Sequence, residues 1–174
     1  MIIGLTGKNG AGKGEVIKFL SERGFQCLSL SDVLREEAGR LGKPVTRDLL
    51  VELGNRLRKE SGASVLAERI FARLDPEKNY AIDSIRNPAE VQVFRRRRDF
   101  YLVNVQAPQK LRFERLRQRG RENDPKTFQE FKFHGDNPIG SLTVITSNNF
   151  FSDKFLAIVN MIRQISGRHS GFVF

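Results

Sequence analysis

Ile2-Ile3-Gly4-Leu5-Thr6-Gly7-Lys8-Asn9-Gly10-Ala11-Gly12-Lys13-Gly14-Glu15 decides the fold. The first five residues form a short apolar run and read as a buried strand. Gly7 to Gly14 fits G-x-x-x-x-G-K. From Gly12 to about Arg23 the apolar residues Val16, Phe19 and Leu20 recur on one helical face, and Gly24 stops the run. Strand, glycine-rich turn and helix in this order let backbone N–H groups curl around a phosphate, while the helix N-terminus adds partial positive charge. Lys13 is then placed to reach the terminal phosphates. Gly7, Lys8, Asn9, Gly10, Ala11, Gly12, Lys13, Gly14 and Glu15 make up the expected cradle. Spacing and flanking elements both match, which a merely glycine-rich turn does not require. One position departs: Gly14 stands where a Ser or Thr hydroxyl usually helps to hold magnesium, and Glu15 follows it.

Outward from this loop, short apolar runs alternate with amphipathic helices. Strands are expected over Gln26–Leu30, Asn79–Asp83, Phe100–Val105 and Leu142–Thr146, each covered on both faces. Helices are expected after Ser31, after the N-cap Thr46, over Ser64–Leu74, from Asn87-Pro88, from Pro108 to Gly120, from Asp124-Pro125, and from Ser152 to Gly167. Strand and helix alternation argues for a parallel α/β sheet. No repeat, low-complexity segment or linker interrupts the chain, so residues 1–174 read as one domain.

Charge narrows the partners. Thirty Lys+Arg against twenty Asp+Glu give a net charge of +10. That surplus favours anions: nucleotides, nucleic acid or an acidic surface. Arg95 to Arg98 close a helix and read as a solvated basic face. No apolar run approaches a bilayer span, and Met1 to Gly7 has no signal-peptide pattern. Cys27, the one cysteine, cannot form an internal disulfide, so a reducing compartment, the cytoplasm, is the default. One cysteine and two histidines leave no zinc cluster.

Three further groups carry chemistry. Asp32 and Arg35 follow the second strand; Asp32 either caps a helix or serves as a general base toward a hydroxyl. Asp83 ends the third strand, where a carboxylate beside the phosphate loop would hold magnesium through water. Arg112, Arg115 and Arg119 share one helical face and Arg121 follows Gly120. Like charges so placed repel unless an anion lies between them; the bland alternative is a solubilising helix with Glu114 as partner.

The Gly12-Lys13-Gly14 end of the loop resembles that of adenylate kinases and related P-loop nucleoside monophosphate kinases. Ser31-Asp32-Val33-Leu34-Arg35 resembles their acceptor segment, and Asp83-Ser84-Ile85-Arg86 their second acceptor arginine, one residue shorter in spacing. The likeness covers about residues 2–131. It implies a P-loop three-layer α/β sandwich with a five-stranded parallel sheet of order 2-3-1-4-5. It also implies an acceptor-binding segment at about 31–75 and a lid at about 112–133. ATP and Mg2+ follow from it, with Lys13, Asp32, Asp83, Arg115 and Arg119 as the catalytic set. Arg35 and Arg86 would grip the acceptor, with Asp32 beside them, and Arg112, Arg115, Arg119 and Arg121 would close over the transferred group. Asp83 and Glu15 would attend the metal; Glu15 either contacts it or repels nucleotide. Asn148 and Asn149 would meet the base. The expected activity is ATP-dependent phosphoryl transfer to a nucleoside or deoxynucleoside monophosphate. Two alternatives stay open: phosphorylation of a hydroxyl, as in dephospho-coenzyme A kinases, and a nucleotide-binding sensor or nucleic-acid-associated protein without kinase chemistry.

Overall fold

The computed structural model describes residues 1–120, 124–132 and 142–145. Strand β1 is Ile2–Thr6, β2 Gln26–Ser29, β3 Tyr80–Asp83, β4 Phe100–Gln106 and β5 Leu142–Ile145. All strand pairings are parallel, in the order β2-β3-β1-β4-β5. The backbone at Leu142–Ile145 lies alongside Val103–Gln106 as the edge of the sheet.

Helix α1 is Lys13–Ser21, α2 Leu30–Arg40, α3 Arg47–Ser61, α4 Val65–Phe71, α5 Pro88–Phe94, α6 Gln109–Arg119 and α7 Phe128–Lys132. Side chains alternate across β1, as a strand requires. Ile3 and Leu5 join Val16, Phe19 and Leu20 of α1 in one apolar cluster. Ile2 faces the other way, into a larger cluster with Leu30 and Val33 of α2, Leu53 of α3, Leu66 and Ile70 of α4 and Phe94 of α5. Helices therefore cover both faces of the sheet. Each fully buried Leu or Ile adds about 2 kcal/mol of transfer free energy to that arrangement.

Local signals set most boundaries. Thr46 caps α3 by accepting from the Leu49 N–H at 3.2 Å. Asn87 caps α5 above Pro88, and Glu90 closes a capping box. Three expectations need correction. Helix α2 begins at Leu30 rather than after Ser31, because Ser29 is its N-cap and Asp32 its third residue. Strand β2 is not covered on both faces: it pairs on one side only, and Gln26 and Cys27 are exposed. Helix α7 starts at Phe128 rather than at Asp124-Pro125, with the Thr127 hydroxyl accepting from the Glu130 N–H at 3.3 Å. The expected Ser152–Gly167 helix, Arg121, Asn148 and Asn149 lie outside the described residues. Among the described residues no helix is long and apolar enough to cross a membrane.

Candidate active site

The carboxyl ends of β1, β3 and β4 open into one cleft of about 1390 Å³. Ligand pockets usually measure about 300–1,000 Å³, so this cleft is large. Its floor is the loop from Gly7 to Gly12. A Cβ on Gly7, at φ 128°, would stand 2.1 Å from the Val105 carbonyl oxygen; on Gly10, at φ 77°, it would stand 2.6 Å from that of Arg112. The loop thus packs its backbone directly on β4 and α6, which only glycine permits.

Lys13 folds back over this loop, donating from Nζ to the Gly7 and Lys8 carbonyls at 2.7 and 3.2 Å. Burial lowers its pKa, and nearby Asp83 opposes that shift. A lysine held by backbone carbonyls beside a ring of exposed N–H groups can transfer its bonds to a phosphate without crossing the site. Glu15 lines the cleft from the first turn of α1 and is exposed.

Asp83 ends β3, and its Oδ1 is buried with no hydrogen-bond partner. A carboxylate oxygen so placed calls for a water, an ion or another donor. Magnesium fits this donor: a hard cation takes carboxylate oxygen and keeps most of its own waters. Among the described residues no cluster of three or more His, Cys, Asp or Glu could cage a metal. The ion would therefore be held largely by nucleotide oxygens, with Asp83 outside them.

Asp32 shares its carboxylate between two structural partners. Oδ2 accepts from the Ser29 N–H at 3.0 Å and Oδ1 from Arg35 Nη1 at 2.7 Å. Arg35, Arg86 and Arg47 all line the cleft; Arg47, the first residue of α3, belongs to no sequence motif. One physical signal marks it: a cation in the first turn of a helix opposes the macrodipole. The Arg86 backbone N–H is fixed by Glu90 Oε2 at 2.7 Å, and Glu90, fully buried, also takes Arg58 Nη2 at 3.0 Å.

The α6 arginines converge as their spacing implies, but each has a distinct hold. Arg115 Nη1 donates to the Gly10 and Ala11 carbonyls at 3.3 and 3.4 Å. Arg112 donates from Nε to the Ala107 carbonyl at 3.2 Å, with its guanidinium 4.9 Å from the Phe131 ring. Its pKa is lowered by burial. Arg119 pairs with Asp124, not with Glu114. The Arg95–Arg98 run is a solvated basic face, with Arg95, Arg96 and Arg98 exposed; Arg96 bridges to Glu68 on the surface, and Arg97 is the half-buried member, pairing with Asp99 and reaching the Asp75 and Pro76 carbonyls.

Among the described residues, eight cations line this one cleft (Lys8, Lys13, Arg35, Arg47, Arg86, Arg112, Arg115 and Arg119) against two carboxylates, Glu15 and Asp83. Such a field selects highly anionic ligands and strengthens as water leaves.

Known proteins resemble this chain in sequence and, for solved structures, in fold. Residues 3–132 match a family described as AAA domain. A UPF0200 protein from Pyrococcus horikoshii is 40% identical over 138 residues, 75% of this chain and 74% of the relative. Another from Methanothermobacter thermautotrophicus is 36% identical over 143 residues, covering 80% and 73%. In fold, the chain is similar to a gluconokinase from Sinorhizobium meliloti (TM-score 0.58, 14% identity, 97% of both chains). It is also similar to a shikimate kinase from Acinetobacter baumannii (TM-score 0.52, 16% identity, 98% and 95%).

Proposed function

This chain belongs to the AAA domain family and to the UPF0200 proteins, and from that premise we propose that it transfers the γ-phosphoryl group of ATP to a small phosphorylated acceptor, a nucleoside or deoxynucleoside monophosphate. The observation that carries this reading is the ring of eight cations, split between two sources. Five come from the phosphate loop and α6; three, Arg35, Arg47 and Arg86, come from the segments after β2 and β3. Two anionic ligands facing each other across one cleft account for that split.

The loop amides and Lys13 bind the ATP phosphates. Arg35, Arg47 and Arg86 hold the acceptor phosphate. One of its oxygens attacks the γ-phosphorus, the bond to the β–γ bridging oxygen breaks, and ADP leaves. Arg115 and Arg119, which line the cleft beside the loop, would meet the charge that spreads over the transferring group. Asp83 and Glu15 would attend magnesium, which would supply charge neutralisation for the phosphates. A phosphate nucleophile is already ionised and requires no base. That agrees with an Asp32 whose two oxygens are committed to the Ser29 N–H and Arg35. Asp32 then positions Arg35.

An ADP-release assay with Mg-ATP tests this against nucleoside and deoxynucleoside monophosphates and dephospho-coenzyme A. Turnover on a monophosphate is expected, and Lys13→Ala is expected to lower it by about 10²-fold or more. Turnover on dephospho-coenzyme A alone would replace the reading with hydroxyl phosphorylation. ATP binding without acceptor-stimulated turnover would replace it with a nucleotide sensor.

A further inference from the structure

Ser84 follows Asp83 at the crest of β3 and adopts φ 68°, the one non-glycine residue in the left-handed region among those described. A Cβ there crowds the backbone, and serine has no special tolerance for it. Strain of this kind persists where a side chain is needed in a particular place. The Ser84 hydroxyl accepts from Ser29 Oγ at 3.0 Å, across the tops of two adjacent strands. Ser29 Oγ in turn accepts from the Ser31 N–H at 3.3 Å and is the N-cap of α2. One hydrogen bond between the two hydroxyls uses one of their two protons, so the pair keeps a donor with no acceptor among the described protein groups. Ser84 is half-buried and lines the cleft, where that donor is available. Its neighbour Asp83 has the buried oxygen without a partner, and Arg86 lies two residues on. An unspent donor, held by strain between a carboxylate and a phosphate-gripping arginine, is placed to meet an anionic oxygen.

We propose that the strained Ser84 hydroxyl donates to the phosphate of the acceptor, making Ser84 a binding residue that trades folding stability for acceptor affinity. This rests on the phosphorylated-acceptor reading above. The substitution Ser84→Gly relaxes the backbone and removes the hydroxyl; Ser84→Ala keeps the strain and removes the hydroxyl. The two effects can therefore be separated.

The test compares wild type with Ser84→Gly and Ser84→Ala, by thermal unfolding and by acceptor and ATP KM. Ser84→Gly should raise Tm by about 2–4 °C; Ser84→Ala should not raise it. Both should raise acceptor KM by about five- to tenfold, the loss of one hydrogen bond to a charged group, and leave ATP KM within about twofold. Acceptor KM unchanged in both variants would overturn the proposal, as would a Ser84→Ala enzyme that matches wild type. Protection of the same three proteins from thermal unfolding by nucleoside monophosphate alone is read in parallel. If wild type turns over no acceptor, the kinase reading fails while protection still reports on Ser84. Wild-type protection weakened in both variants supports the contact; protection retained in both, or absent in wild type, overturns it.

Discussion

Arg119 grips Asp124 through two N–H···O contacts, Nε to Oδ2 at 2.9 Å and Nη2 to Oδ1, while facing the same cleft as Lys13. Asp124 is only 9% exposed, so the carboxylate is largely fixed; it takes Nε and Nη2 of the guanidinium, leaves Nη1 outside the pair, and competes with a phosphate for the positive charge. Arg119→Ala should lower kcat by about 10²-fold and, because it strands the Asp124 carboxylate, weaken the unliganded fold by about 1 kcal/mol or more. Asp124→Asn should lower ATP KM by about two- to fivefold and weaken the unliganded fold by about 1 kcal/mol. Steady-state kinetics with varied ATP decide it; a higher ATP KM in Asp124→Asn would show that the pair helps binding instead of competing with it.

Asp32 offers a sharp kinetic distinction. As the anchor of Arg35, its loss in Asp32→Asn should raise acceptor KM by about five- to tenfold and leave kcat within about threefold. A general base would instead lose about 10²- to 10⁴-fold in kcat. Initial-rate measurements over both substrates separate the two.

Gly14 has open space around it: a Cβ at this position would meet no atom within 4 Å, and its φ is not positive. Gly14→Thr should therefore fit without strain. It should stabilise α1 by about 0.3–0.5 kcal/mol and place a hydroxyl beside the nucleotide. The expected result is a several-fold lower magnesium requirement in the ATP reaction, checked by titrating Mg2+ at fixed ATP. Lower activity at every magnesium concentration would instead mean that the backbone approaches the nucleotide too closely for a side chain.

Arg58 and Glu90 form the most buried ion pair among those described, with Glu90 fully enclosed. Arg58→Ala strands that charge and should cost about 3–5 kcal/mol, read by urea unfolding. Glu90→Gln keeps an acceptor oxygen for the Arg86 and Asn87 N–H groups and should cost less. Equal losses in the two variants would argue against a charge effect.

Acid should loosen the Asp99 carboxylate from its two partners, Arg97 and the N-terminal ammonium. Arg97 holds the Asp99 carboxyl well below the usual carboxylate range. A depressed folded pKa contributes stability that is complete above the unfolded pKa, about 4, and is lost as pH falls through the folded one. The side chain is 42% exposed, so solvent screening reduces this to about 1–2 kcal/mol. Asp99→Asn should lower stability at pH 7 by about that amount and flatten its decline below about pH 4. Unfolding curves at both pH values test it.

Much of the site is legible in the sequence because its signals are local. The phosphate loop needs glycine at set spacings next to a lysine, and Asn87-Pro88-Ala89-Glu90 writes a helix start in four residues. Asp83 and Arg86 stand out because they end a strand on the crest that carries the loop. Arg47 and Arg58 do not, because each sits on an amphipathic helix where a basic residue is ordinary; only α3 docking carries Arg47 to the cleft and Arg58 to Glu90. Ser84 is invisible in the sequence because φ is not written in a serine. Asp124 reads as a helix start, yet its carboxylate goes to Arg119.

Residue types and spacing alone specify the glycine-rich loop, the parallel α/β alternation and most of the cations that line the cleft. Those follow from glycine spacing and from apolar periods of two and 3.6, which act within a few residues. The packing of sheet and helices sets how the polar groups are spent: Asp32 on Ser29 and Arg35, Arg119 on Asp124, Glu90 on Arg58, and Ser29 on Ser84. Pairing depends on distances of about 3 Å between groups that can lie tens of residues apart, and only the packed sheet and its helices set those distances.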